Sequence, residues 1–321
     1  MNHRERAIAA LTYRIPDMVP HFELEYQISR QVYGKEMIFG ADMGRFLRQN
    51  LSGREMEYRL EEIANTMAEV FTDLEWSIIP MPGLDEGIIQ ILSRHLHRLL
   101  GGSVLLSAHG DGTFAIPDGN QMYEFAYRIA DDPEGLHAEA ETMMKQAIER
   151  NKKMFDMGIE CFHLCADYCY NSGPFLSPAM FREFITPYLA QIIDEIRKMG
   201  GYAIKHTDGN IMPILDQLIE CKPHALHSVD PMAGVDIAEV KAITQPHKVA
   251  LCGNVNCAAI QTGTDDDIRQ SALYALNHGM PGGGYIFCSS NCIFEGIQPE
   301  KYQVMLDVWK EHRYYEDRKQ N

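Results

Sequence analysis

The chain has 321 residues, 45% of them hydrophobic, enough for one large domain with a sizeable core or for two smaller ones. Its formal net charge of −16 speaks against sequence-independent binding of nucleic acid or of an anionic membrane, since both need a basic surface. No apolar run approaches the ~18 residues of a membrane span.

In chain order, the start MNHRERAIAALTYRIPDMVP carries charge where a signal peptide has its apolar core. It reads as a short amphipathic helix of a cytoplasmic protein. MVPHFEL (18–24) predicts the first strand, and the long stretch 33–70 reads as a helical insertion after it. LEWSII (74–79), SVLLSAHG (103–110) and ECFHLCAD (160–167) follow as strands, separated by the amphipathic stretches DEGIIQILSRHLHRLL and GLHAEAETMMKQAIERNKKMF. SPAMFREFITPYLAQIIDEIRKMG has a Ser-Pro start and a glycine stop, which predict a helix. YAIKHTDG (202–209), ALHSVD (225–230) and KVALCGN (248–254) are the next strands. TDDDIRQSALYALNHG has a threonine cap, acids in its first turn and a closing glycine. The last strand, YIFCSSN (285–291), follows three glycines that allow close backbone approach.

Strand–helix alternation eight times over, without repeats or a linker, predicts an α/β fold. The expected form is a (β/α)8 TIM barrel, a single domain over 1–321, rather than an open sheet. The first two strands have the weakest pattern, and losing either would leave a doubly wound sheet as the alternative.

Barrels of this kind place their chemistry at the C-terminal ends of the strands. Those ends carry His109 and Asp111, Asp167 and Tyr168, His206 and Asp208, and His227 and Asp230. The last two strands add Cys252 with Asn254, and Cys288 with Asn291 and Cys292. Each has a plain reading as well. Asp111 and Asp208 can simply cap the next helix. Cys165, Cys169 and Cys288 can fill the core, and Cys221 and Cys257 look like ordinary helix or loop residues. Eight cysteines in so long a chain do not make a disulfide scaffold. Cys252 and Cys292 differ in lying beside polar loop residues. With His206 they would supply the three protein ligands of a catalytic zinc site, Asp208 taking the fourth position or standing behind it. The spacing is not a compact pair, so on the residues alone core and capping roles outweigh a metal.

Several segments together resemble the uroporphyrinogen decarboxylase superfamily along nearly the whole chain. They are RERAIAALTYRIPDMVPHFE, SPAMFREFITPYLAQIIDEIRKMGG, IKHTDGN, LHSVDPMAGVDIAEVK, VALCGNVN, PGGGYIF and GIQPEKYQVMLDVW. The resemblance implies an (α/β)8 barrel and one of two chemistries: cofactor-free decarboxylation of porphyrinogen acetates, or zinc-assisted methyl transfer to or from a corrinoid protein. The decarboxylases carry paired arginines in a motif like MRQAGRY after the first strand. This chain reads HFELEYQISRQVYG there, with only Arg30 nearby, and it has Asn291 where those enzymes have a histidine. Eight substrate carboxylates call for such arginines. The thiol-methylating branch has a His-x-Cys pair that becomes His206-Thr207-Asp208 here. The O-demethylating branch resembles the chain more, because Cys252 and Cys292 lie forty positions apart as its zinc cysteines do. Asp208, Asp230 or His224 would complete the ligand set, although His224 precedes its strand and so belongs to the wrong end of the barrel.

The resemblance therefore implies a zinc-dependent methyltransferase. It would move a methyl group from a small donor, a methoxylated aromatic, to the Co(I) corrinoid of a partner protein. His109, Asp167, Tyr168 and Asp230 are candidates to orient the donor or move a proton. The alternatives are a porphyrinogen-type decarboxylase and a non-catalytic barrel that binds a tetrapyrrole or corrinoid.

Overall fold

In the computed structural model, which describes residues 1–315, seven strands lie side by side in one curled parallel sheet. They are β1 (Ile78–Pro80), β2 (Leu105–His109) and β3 (Cys161–Leu164), then, after a two-residue hairpin of β4 (Cys169–Tyr170) and β5 (Gly173–Pro174), β6 (Tyr202–His206), β7 (Ala225–His227), β8 (Ala250–Val255) and β9 (Tyr285–Ser289). The sheet order is β1-β2-β3-β6-β7-β8-β9. Helices follow most of the strands. The strands accordingly read as almost continuous runs of buried residues rather than as alternation.

The predicted first strand, 18–24, is not a strand. Pro20 has no N–H to give a ladder. The segment instead joins the two edges of the sheet. His21 makes isolated parallel bridges to Trp76, just before β1, and to Phe287 in β9. Ser77 N donates to His21 O at 2.8 Å, and Phe287 N to Pro20 O at 2.9 Å. Glu23, fully buried, fastens the segment by accepting from Ser289 N at 3.0 Å and from Ser289 Oγ at 2.5 Å. Three helices, Ser29–Tyr33, Gly40–Arg48 and Gly53–Asp73, fill the stretch between this segment and β1. The second predicted strand is short because residues 74–77 turn the chain out of the last of these helices, with Glu75 at φ 54°.

The 177–200 stretch is two helices, Pro178–Phe184 and Thr186–Lys198, rather than one. Pro187 lacks the N–H that would reach back to Glu183, and its ring would crowd that carbonyl. Ser177 caps the first by accepting from Met180 N, as expected of a Ser-Pro start. Thr264 and Asp267 form a reciprocal capping box on the helix Asp265–Gly279. Gly284 shows what its glycine run is for. Its φ is +63°, and a side chain there would collide with the Tyr13 ring. Among the described residues no helix is long and apolar enough to cross a membrane.

Candidate metal-binding active site

The site is built on β6 and β7. Their register pairs His206 with His227, so two imidazoles stand together inside the sheet's curl. Their Nδ1 atoms are 2.7 Å apart. At that distance one ring donates its N–H and the other accepts. Burial pushes His206 down to about 3, with Lys205, His163 and His109 adding to the effect. Burial, then His206, holds His227 well below its usual value. Two neutral rings sharing one proton fix each other's tautomer. When His206 is the donor, its Nε2 lone pair is left facing outward.

That Nε2 faces two carboxylates. Asp167, three residues beyond β3, and Asp208, two beyond β6, each place Oδ1 at 3.7 Å from it. The backbone N–H of Asp208 donates to Asp167 Oδ1 at 3.1 Å. Asp208 also accepts from Ser228 Oγ at 2.9 Å and from Asn291 Nδ2 at 2.5 Å. Burial raises the Asp208 carboxyl to about 6. Its bond to Ser228 opposes that, and the negative charges of Asp167 and Asp230 reinforce it.

One ligand atom from each of Asp167, His206 and Asp208 lies within 4.8 Å of the other two. Two bonds of ~2.0–2.1 Å to a tetrahedral zinc would separate their ligand atoms by roughly 3.4 Å. The gaps of 3.7 Å from Nε2 are close to that value. One imidazole and two carboxylates are a donor set that a divalent ion of this kind accepts. His227 stands behind His206 as an outer partner that orients a ligand.

The turn that carries Asp167 is held from outside the sheet. Asp111 accepts from Ala166 N at 3.0 Å and from Thr113 Oγ1 at 2.7 Å. It also pairs with the wholly buried Lys205 at 2.8 Å. Lys205 donates in addition to Leu164 O and Ala166 O, and its Nζ lies 3.9 Å from the centre of the Tyr168 ring.

The structure brings together His206, Asp208 and Asp167, the last of which the sequence had offered for substrate orientation. It does not bring the cysteines into that group. Among the described residues no other cluster of three His, Cys, Asp or Glu side chains converges in this way, so His206, Cys252 and Cys292 do not form a common set. The physical reason lies in β8, which continues three residues past Cys252. Cys252 is therefore mid-strand and fully buried rather than at a strand end, and burial raises its thiol well above the ordinary value. Cys292 does reach the mouth and lines a cavity of about 460 Å³ with Asp208, Asp230 and Asn291. Burial, then the charge of Glu25, pushes its thiol up to about 12. All eight cysteines are free thiols.

Tyr168 is fully buried, its hydroxyl 2.6 Å from Thr113 Oγ1, and its side chain does not reach the mouth. Asp230 faces the same cavity as Asp208 while accepting from Gly209 N and Met232 N. His109 stands exposed at the end of β2 and lines a second cavity of about 120 Å³. His224 precedes β7, at the other end of the sheet, where its Nδ1 accepts from Ala203 N at 3.0 Å. Sequence reasoning gave no role to Ser228, His163 or Glu25, and noted Asn291 only at a strand end and as standing where the decarboxylases have a histidine. The strand register was the missing signal, because it alone shows which strand ends are neighbours.

A family profile described as uroporphyrinogen decarboxylase (URO-D) matches residues 117–312. No curated protein matches the chain. Among solved structures, a methyltransferase from Methanosarcina mazei superposes with a TM-score of 0.75 at 15% identity, covering 97% of this chain and 99% of that one. At that identity the likeness is one of fold. A D-psicose 3-epimerase with D-tagatose from Clostridium cellulolyticum H10 reaches a TM-score of 0.45 at 10% identity, over 81% of this chain and 94% of that one. An N-acetylneuraminate lyase from Fusobacterium nucleatum reaches 0.39 at 12% identity, over 78% and 74%. Neither of these two carries further argument.

Proposed function

The chain belongs to the uroporphyrinogen decarboxylase family, and from that premise we propose that it is a metal-assisted methyltransferase of a single barrel domain, moving a methyl group from a small aromatic ether to the corrinoid of a partner protein. The observation that carries the proposal is the convergence of His206, Asp167 and Asp208 at the mouth of the sheet. Support comes also from the end-to-end likeness in fold to the Methanosarcina mazei methyltransferase. The metal is Zn2+ on this reading, and the protein works in the cytoplasm.

His206, Asp167 and Asp208 would hold a zinc ion, which would supply Lewis acidity at the leaving oxygen of the ether, and the methyl group would pass to the Co(I) corrinoid of the partner protein. The chain's own residues do the rest. His227 keeps His206 in one tautomer and one orientation. Ser228 and Asn291 hold Asp208. Asp111 and Lys205 hold the turn that carries Asp167. Such fixed ligands need no rearrangement as charge develops on the leaving oxygen. Asp230, beside Asp208 at the cavity wall, is placed to relay a proton from solvent to the departing phenolate oxygen.

The decarboxylase alternative needs cations for the substrate's carboxylates. Arg30 does not supply one, because it is paired with Glu36 and with Asp42 among the helices before β1. Among the described residues no lysine or arginine lines either cavity at the mouth. The test is to load the purified protein with zinc and mix it with an aromatic methyl ether and a Co(I) corrinoid protein. The absorbance change of cobalt methylation should appear, and His206→Ala should abolish it. No methylation by the zinc-loaded protein with any methyl ether would overturn the proposal.

A further inference from the structure

Two residues beside the site hold backbone conformations that their side chains disfavour. Ser228 has φ 83° and Val229 has φ 47°. For a β-branched residue such as valine, a positive φ is a genuine outlier. A strained turn of this kind persists only where its surroundings impose it, and such turns gather at functional sites. Both residues are fully buried, so solvent contact does not explain the conformation.

The turn is held from β8. Asn254 Nδ2 donates to Val229 O at 2.9 Å. Gly253, the residue before it, approaches the turn so closely that a side chain there would stand 2.8 Å from Ser228 O. The Tyr285 hydroxyl in turn donates to Gly253 O. The register of β7 and β8 sets His227 opposite Cys252, which brings the next residues of both strands level with each other.

What the turn presents is a grip on Asp208. Ser228 Oγ donates to Asp208 Oδ1, the oxygen that faces His206 Nε2. One residue beyond the turn, Asp230 Oδ2 accepts from Gly209 N at 3.2 Å. Asp208 is thus gripped at its side chain and, through Gly209, at the neighbouring backbone. A return of Ser228 and Val229 to negative φ would redirect the Ser228 side chain, because side-chain direction follows the backbone.

We propose that Asn254 is a positioning residue for Asp208: it locks the strained Ser228–Val229 turn, and through Ser228 it holds Asp208 Oδ1 toward the metal position. The ion rests on the metal-site reading above, whereas the clasp on Asp208 stands without it. Asn254 lines neither cavity at the mouth, so it acts through the turn rather than on a substrate.

The test is zinc affinity of the purified full-length protein, measured by competition with a chromophoric chelator. Asn254→Ala should bind zinc about tenfold more weakly, as loss of an outer partner does at metal sites. Ser228→Ala should lose a similar factor. Because the two residues act in series, the double variant should also lose about tenfold rather than about a hundredfold. Loaded with Co(II), both single variants should show the same displaced visible bands. A residue that only supports the fold would lower the melting temperature and leave those bands in place. Asn254→Leu, which fills the space and has no donor, carries the same prediction if Asn254→Ala does not fold. In the metal-free protein, amide exchange at Gly209 and Met232, both donors to Asp230, should quicken about tenfold in the Asn254 variant. Wild-type zinc affinity in that variant, additive losses in the double variant, or unchanged exchange at both amides would each overturn the proposal. The two readings fail separately. A wild type that binds no zinc, with exchange at Gly209 and Met232 still quickened in the variant, sinks only the metal site. Zinc bound equally well by wild type and variant sinks only the positioning role.

Discussion

At the scale of single residues, the most consequential pair is Lys205 with Asp111. It lies away from the ligand group yet fixes the turn that carries Asp167. Replacing Lys205 with methionine leaves a buried carboxylate without its cation, a change that typically costs about 3–5 kcal/mol. A urea titration should show this as a lower midpoint. The pair also sets an acid limit. Burial disfavours the ionised Asp111, but Lys205, Thr113 and the Ala166 N–H outweigh it and hold its carboxyl below the ordinary carboxylate range. A carboxyl depressed on folding stabilises the protein fully above its unfolded value and loses that contribution as pH falls through and below it. Stability measured between about pH 5 and pH 2 should therefore fall less steeply in Asp111→Asn than in the wild type. An identical slope would show that the pair does not set the acid limit. The sequence displayed Asp111 at a strand end, as a site candidate or a cap for the next helix, but not as the partner of a buried lysine. The importance of Lys205 could not be seen, because a lysine inside an apolar strand does not reveal which carbonyls surround it. His206 and Asp208 were legible as a ligand pair because both fall at the end of a clear strand. Cys252 misled because the end of its strand was placed too early, and a shift of a few residues takes a side chain from the rim into the core.

At the scale of elements, most of the architecture was readable. Seven strands were placed on sequence within a few residues of their ends, since short β-branched and aromatic runs followed by capped helices leave little choice. The exceptions had local causes. Pro20 kept 18–24 out of the ladder, and Pro187 split one predicted helix in two. The 18–24 segment is nonetheless what joins the sheet's edges, and Glu23 is its fastening. Each hydrogen bond to such a charged acceptor is worth about 1.5–3 kcal/mol. In Glu23→Ala, hydrogen exchange at the amides of Phe22, Ser77 and Phe287 should accelerate, while the amides of β6 and β7 keep their protection. Uniform acceleration across the whole sheet would mean that the segment is no separate unit of stability.

At the scale of the whole molecule, the strand register gathers acids to one mouth of the sheet. That arrangement disfavours a polycarboxylate at the mouth of this −16 chain and suits a cation at its centre. On the proposed reading the cation is held by nitrogen and oxygen rather than by sulfur. The most direct measurement is the metal content of purified variants by mass spectrometry after zinc loading and dialysis. One ion per chain is expected in the wild type and in Cys252→Ala and Cys292→Ala, with its loss in His206→Ala and Asp208→Ala. Zinc retained by the latter two but lost from the cysteine variants would contradict that reading.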